Sequence, residues 1–392
     1  MREIFSKHWK YGNIILYLVI LLCFSLIAYH NLNVGFRMSS DSETFSRWSD
    51  NLISLKFNLY QYYIQNTFGN PNFIYTIPII LISFAKLIFG SSWQYSFMIF
   101  NLILVFFLFI FFTKILFLLN VRPLVISLSI PLLALSVDLL TWPRFILSDI
   151  IFTFIVLLTI YFIIKNFVEE KQNYVSLILL IILLIFTRPT SLPYILSIIC
   201  FVSIAKFKIK YNPKLILLII FSLLFLTPFI FAFLYQIMKT YLNSIPQVIY
   251  LVEWVESGQI IHDRPETWIK SPSTFFELVY LYFVRILFFF NPYLQSFSKI
   301  HNILNSFQSL IILFSISTWL FLNEKYYTFN KTIALILVTT FFVAAFHAFT
   351  LIDYDWRYRF PVIIPLIIIF PISVEIFIIK ITKLSKANIS TS

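Results

Sequence analysis

Two carboxylates, Asp41 and Glu43, lie close together in the stretch MSSDSETFSRWSDNL, shortly after an apolar run that ends near Tyr29. A carboxylate held that near an apolar boundary can act as a general base toward a hydroxyl. It can also hold a divalent cation, the one cofactor these residues suggest. The same residues suit a solvated loop, or the start of a helix near Thr44. Asp41 is the first candidate for the base and Glu43 the second. The five histidines show no HxxxH spacing and the two cysteines, Cys23 and Cys200, no CxxC spacing. A zinc or iron centre is therefore not indicated.

Further charged residues recur at the edges of apolar runs. In TWPRFILSDIIFTF, Arg144 precedes Asp149, which opens the next run. Asp149 can orient an acceptor or a cation, or simply favour a helix N-terminus. Asp138 stands within an apolar run, near its end. TRPTSLPY pins Arg188 in a tight turn, and VYLYFVRILFFFNPY carries Arg285. LIDYDWRYRFPVIIPL packs Asp353, Asp355, Arg357 and Arg359 among Tyr354, Trp356, Tyr358 and Phe360. A guanidinium offers a planar fork that matches phosphate or carboxylate, so converging arginines suit a phosphate headgroup. The plainer reading is local pairing with the nearby acids.

The elements that must hold these residues follow from composition. Of 392 residues, 60% are apolar, 48 are Phe and only 12% are charged, with a mean hydropathy of +0.90. A soluble domain is roughly half apolar and a quarter charged. The composition excludes a cytosolic enzyme, a nucleic-acid-binding domain and a disordered tail. It predicts an all-α, polytopic transmembrane helix bundle in a lipid bilayer. The net charge of +12 fits cytosolic loops and anionic headgroups, with no nucleic-acid partner.

Apolar runs predict about ten spans, near Ile14–Tyr29, Trp93–Leu119, Leu124–Trp142, Ile150–Phe167, Tyr174–Phe186, Ser191–Phe207, Leu215–Ile237, Ile303–Leu322, Thr332–Thr350 and Phe360–Ile379. Phe73–Phe89 and Phe275–Phe290 are ambiguous. Letting both cross would turn KFKIKYNPK outward, against the positive-inside rule, so they are read as interfacial or re-entrant helices. Both termini then face the cytosol. Residues 1–392 form one membrane domain, with long outer loops at about 31–92 and 239–302 and no separate soluble domain. Fourteen of the 19 lysines fall inside, whereas eight of the ten arginines fall outside. Topology alone biases both types inward, so the outward arginines invite a functional explanation.

With the motifs laid out in order, the chain resembles the GT-C superfamily of polytopic glycosyltransferases, in particular relatives of protein O-mannosyltransferases and lipid A aminoarabinose transferases. SSDSETFSRWSDNL is similar to the family's acid motif after the first span, with Thr44 and Phe45 where a Tyr is usual. PRFILSDIIFTF resembles its second-loop acid, as Asp where many members have Glu. TRPTSLPYIL resembles its Thr-Arg-Pro turn, and DWRYRFPVIIPL its Arg-Tyr-x-x-Pro-x-x-x-Pro segment. The resemblance runs from Asp41 to Pro365. It implies transfer of a sugar from a polyprenyl-phosphate carrier to a hydroxyl on a glycan, lipid or protein at the outer face of a bacterial cell membrane. It also implies Asp41 or Glu43 as base. Arg144, Arg188, Arg285, Arg357 and Arg359, with Asp149 and Tyr358, would then bind substrate. A lipid-linked sugar flippase or transporter, and a polysaccharide polymerase or ligase, are the alternatives. The lysine distribution itself is directly testable. A cysteine placed at Ser54 is expected to react with an impermeant reagent from outside and one at Asn212 to be shielded; the reverse pattern inverts the topology.

Overall fold

The computed structural model describes residues 2–65, 71–169, 174–206, 213–242, 244–262, 264–322, 327–351 and 357–389. Within them the chain is helical, with no named strand, and an isolated backbone bridge joins Arg37 to Phe145. In chain order the helices are α1 (Arg2–Val34), α2 (Ser40–Ser54), α3 (Leu59–Gln65), α4 (Thr76–Phe89), α5 (Trp93–Leu118), α6 (Pro123–Ala134), α7 (Val137–Thr141) and α8 (Asp149–Val168). There follow α9 (Tyr174–Ile185), α10 (Ser191–Lys206), α11 (Pro213–Tyr241), α12 (Pro246–Glu256), α13 (Phe275–Phe290), α14 (Lys299–Leu322), α15 (Tyr327–Phe349) and α16 (Phe360–Ile389).

A helix rises about 1.5 Å per residue, so roughly 20 apolar residues cross the ~30 Å hydrocarbon layer. Seven helices among the described residues are long and apolar enough to do so, and the protein is an integral, multi-pass membrane protein. α1, α8, α11, α14, α15 and α16 each supply one, and the seventh is the run Phe73–Leu118 that contains α5. That run has 46 residues, more than twice the layer's need. α5 alone suffices, whereas the 14 residues of α4 reach only about 21 Å. α6 and α7 form an eighth candidate, broken by a 60° bend. Ser136 makes the break, because its extended backbone (ψ 122°) interrupts the helical path. The expected count of ten is not reached: α9 and α10, read from sequence as full spans, have 12 and 16 residues. The turn between them is tied through Arg188 to Asp149 at the start of α8, which fixes where α9 must stop.

The chain divides into two compact units. The first comprises residues 1–192, 299–329 and 363–392. In it α5 packs along α8, α1 along α6, and α2 on α4. The first outer segment forms a small cap whose core is Leu52, Tyr62 and Ile79, flanked by Trp48, Phe57 and Tyr75. Lys86 of α4 fastens this cap. Its Nζ donates to Asp50 at 2.7 Å and to the Ser46 carbonyl at 2.8 Å, and lies 5.0 Å from the Trp93 ring. At the other end of this unit Glu375, 4% exposed, accepts from the Arg122 backbone N–H and Nε at 3.1 and 2.8 Å. An acid inside a span is costly unless paired, and Arg122 supplies the charge.

The second unit comprises residues 193–298 and 330–362. α11 packs on α13, and the hydroxyls of Ser197 and Thr339 lie 3.1 Å apart. α13 begins in a complete capping box: Thr274 accepts from the Glu277 backbone N–H, and Glu277 accepts from Thr274 and Ser273. These hydrogen bonds, led by the Ser273 hydroxyl, hold the Glu277 carboxyl down to about 2. Its capping contribution is therefore complete above the ordinary carboxylate range and is lost only as pH falls toward 2. The loop before α13 turns at Gly258, with φ at +67°, and a Cβ there would collide with the Ile269 carbonyl. Gly35, also at positive φ (+79°), has open space around it. Gly35→Ala is expected to cost about 1–2 kcal/mol of backbone strain. Gly258→Ala should cost clearly more, as a lower thermal midpoint in detergent will show. Equal midpoints for the two variants would contradict the close approach at Ile269.

Candidate functional site

The first and second outer motifs meet in the backbone. Arg37 N–H donates to the Arg144 carbonyl at 2.8 Å, and Arg37 and Phe145 form the isolated parallel bridge. Both guanidinium groups then settle on the Phe145 ring, with their central carbons 5.7 and 5.6 Å from its centroid. Arg144 feels the like charge of Arg37, and neither side chain has a carboxylate partner among the described residues. The Arg144 Nε is buried with no acceptor. Two cations beside one aromatic ring, with no carboxylate partner among the described residues, have the chemistry that an anion would need.

Asn101 holds this arrangement from behind. It is fully buried on α5, and its amide donates at 3.1 Å to the carbonyls of both Pro143 and Phe145. Those carbonyls belong to the tight turn Trp142–Arg144 and the residue after it, where no helical partner exists. Trp142 is tethered in turn, its Nε1 donating to Asp138 at 3.0 Å. Sequence reasoning placed Arg37 among the outer arginines without a role and passed over Asn101. A lone amide in the run FMIFNLILVFF is the signal that could have found it.

α2 starts three residues after Arg37. Ser39 caps it, accepting from the Ser42 N–H at 3.3 Å, and Asp41 and Glu43 lie in its first turn, where the helix dipole favours negative charge. Asp41 is half-buried whereas Glu43 is exposed, which separates the two candidate bases in favour of Asp41. No group of three or more His, Cys, Asp or Glu side chains that could hold a metal occurs among the described residues. A cation at Asp41 would need other oxygen ligands.

Asp149 and Arg188 come together as a buried ion pair, with side chains 2% and 3% exposed. Asp149 opens α8, and Arg188 stands in the turn between α9 and α10. The pair joins two predicted substrate residues to each other and gives Arg188 a structural anchor.

In the second unit, two predicted arginines are also engaged. Arg285 has no exposure, and burial lowers it to about 10, so it stays charged at neutral pH. Its Nε donates to the Gln259 carbonyl at 2.7 Å and its Nη2 to Trp254 at 3.2 Å, while Nη1 reaches Ala348 and Thr350 at 3.3 and 3.4 Å. It thus clamps three segments through their carbonyls. Arg359 donates to Phe289 and Asn291 carbonyls at 3.4 and 2.8 Å, satisfying the C-terminal end of α13, where a cation is favoured. Arg357 is half-buried, 5.5 Å from the Tyr358 ring. Tyr358 stacks on the buried His347 at 4.5 Å, and His347 stacks on Phe289 at 6.0 Å. Asp353 and Asp355 lie outside the described residues.

No family model matches this sequence, and no curated protein or solved structure matches it. The site's chemistry therefore rests on its own residues. For the Asp149–Arg188 pair the expectation is asymmetric. Asp149→Asn or Arg188→Met alone strands one buried charge or its fork and should cost about 3–5 kcal/mol. The double variant Asp149→Leu/Arg188→Met should recover most of that loss, since an apolar replacement of a buried pair is often neutral. Thermal stability of the four proteins in detergent checks this. Single variants within about 1 kcal/mol of wild type would show that the pair does not hold the turn after α9 to the start of α8.

Proposed function

We propose that the protein is a GT-C-type membrane glycosyltransferase acting at the outer face of a bacterial cell membrane. In this reading it moves a sugar from a polyprenyl-phosphate carrier to an acceptor hydroxyl on a glycan, lipid or protein. α9 and α10 complete ten crossings, with both termini cytosolic. The observation that carries the reading is the Arg37–Phe145–Arg144 arrangement, which gathers two cations with no carboxylate partner among the described residues and whose backbone leads directly into α2 and Asp41.

The chemistry follows from those groups. The acceptor oxygen attacks the anomeric carbon, and the bond from that carbon to the phosphate oxygen breaks. Asp41 takes the hydroxyl proton, and polyprenyl phosphate leaves with the bonding electrons. Negative charge grows on the departing phosphate, where the forks of Arg37 and Arg144 gain strength as the reaction proceeds. Arg285 and Arg359 act as positioning residues, because their donors are occupied by main-chain carbonyls. A lipid carrier suits an outer site, where nucleotide sugars are absent.

One observation favours a transporter of lipid-linked sugar as the second reading. The broken pair α6–α7 is the kind of interrupted span that transporters use. The two readings differ in whether the sugar–phosphate bond is cleaved. Reconstituted protein given labelled polyprenyl-phosphate sugars should release free polyprenyl phosphate in proportion to glycosylated acceptor. Asp41→Asn should lower that rate about a hundred- to ten-thousand-fold, and Glu43→Gln should change it little. Arg37→Lys and Arg144→Lys keep charge but lose the fork and should each cost about a hundred- to thousand-fold. Unchanged rates in Asp41→Asn and both Lys variants would remove this site from the reaction. Movement of intact lipid-linked sugar without cleavage would establish the transporter.

A further inference from the structure

α14 carries a row of polar residues on one face of a membrane-spanning helix. Asn302, Asn305 and Gln308 follow at three-residue spacing, and Ile312, Ser315 and Trp319 continue the same buried face. Asn305 and Gln308 are 5% and 6% exposed, yet the amide nitrogen of each is buried without an acceptor. An unmet buried donor costs about 1–3 kcal/mol, and amides inside a span are rarely kept without a use.

These are not isolated defects of packing. α14 packs on α7, α7 packs on α1 and on the Trp142–Arg144 turn, and that turn packs on α1 and α5. Each of these neighbours brings its own unmet group. The Ser136 hydroxyl lies at the break before α7, and the side-chain carbonyls of Asn31 on α1 and Asn101 on α5 are buried and unpaired. Donors come from α14 and acceptors from α1 and α5. A phosphate only accepts and an ammonium only donates, so neither answers both. A hydroxyl does both, and a planar carboxamide matches neighbouring hydroxyls especially well.

We infer that Asn305 and Gln308, on the buried face of α14, the helix that packs on α7 in the first unit, form a subsite for a neutral polyhydroxylated group, which under the proposed function is the sugar of the lipid-linked donor. α7, on which α14 packs, itself packs on the turn that carries Arg144 of the proposed phosphate site. The phosphate and the sugar are thus read by different chemistry, guanidinium for one and carboxamide for the other. The inference rests on the proposed function for the ligand's identity.

The test uses full-length protein in detergent and two probes, polyprenyl phosphate and a panel of polyprenyl-phosphate hexoses and aminopentoses. Wild type should bind at least one sugar-bearing lipid more tightly than polyprenyl phosphate. Asn305→Leu and Gln308→Met are close in size and remove the unmet donors. Without ligand they should be at least as stable as wild type. They should bind polyprenyl phosphate within about twofold of wild type and lose about tenfold each for the preferred sugar-bearing lipid. Three results would overturn the subsite and leave the lipid-phosphate reading intact: unchanged sugar preference in both variants, equal loss for both probes, or unfolding of both variants, which would mark the amides as structural. Wild type that binds neither probe would overturn the subsite and the proposed function together.

Discussion

The junction of α8 with the turn after α9 in the first unit is organised around a charge pair that has left water. Asp149 and Arg188 are both almost wholly buried and bonded to each other. Each ion alone would be prohibitive in a low-dielectric interior, so neither element carrying them can shift without the other. The pair fixes the start of α8 against the turn between α9 and α10. Because α5 packs along α8, it also fixes the helix whose Asn101 holds the Pro143 and Phe145 carbonyls. The anion receptor on Phe145 is therefore suspended from buried polar contacts, none of which lies in the receptor itself.

The division of labour among arginines follows the same logic. Where a guanidinium is fully buried, as at Arg285, main-chain carbonyls take its donors. Where it is exposed or half-buried, as at Arg37 and Arg144, it meets an aromatic ring and no carboxylate among the described residues. Buried forks brace the fold and boundary forks remain available to a ligand. That contrast, more than the number of arginines, is what the proposed phosphate site in the first unit rests on.

Much of the helix layout was legible in the sequence, because lipid imposes long uninterrupted apolar runs. α1, α5, α8, α11, α14, α15 and α16 all fall on runs that stand out from composition alone. The break at Ser136 does not, since a serine between Leu135 and Val137 carries no obvious stop signal. The bounds of α9 and α10 were legible, because the turn residues of TRPTSLPY interrupt the apolar run, but the ion pair of Arg188 with Asp149 was not. The two-unit division is invisible in a linear reading, because the chain returns to the first unit with α14 between the two segments of the second. At the site, the acids of α2 and the outward arginines were readable as types and positions. Their partners were not. Backbone carbonyls leave no mark in sequence, and Arg122 finds Glu375 across 253 residues. Arg37 gains its meaning only from the bridge to Phe145.

The central claim is that the receptor at Arg37 and Arg144 holds the phosphate of a polyprenyl lipid. Mass spectrometry of lipids that remain with the purified protein addresses it most directly, comparing wild type with Arg37→Gln/Arg144→Gln. Wild type should carry polyprenyl phosphate or its sugar-bearing form, and the double variant should retain bulk phospholipid while losing that species. Wild type carrying only bulk phospholipid, or a double variant that keeps the polyprenyl lipid in equal amount, would contradict the account.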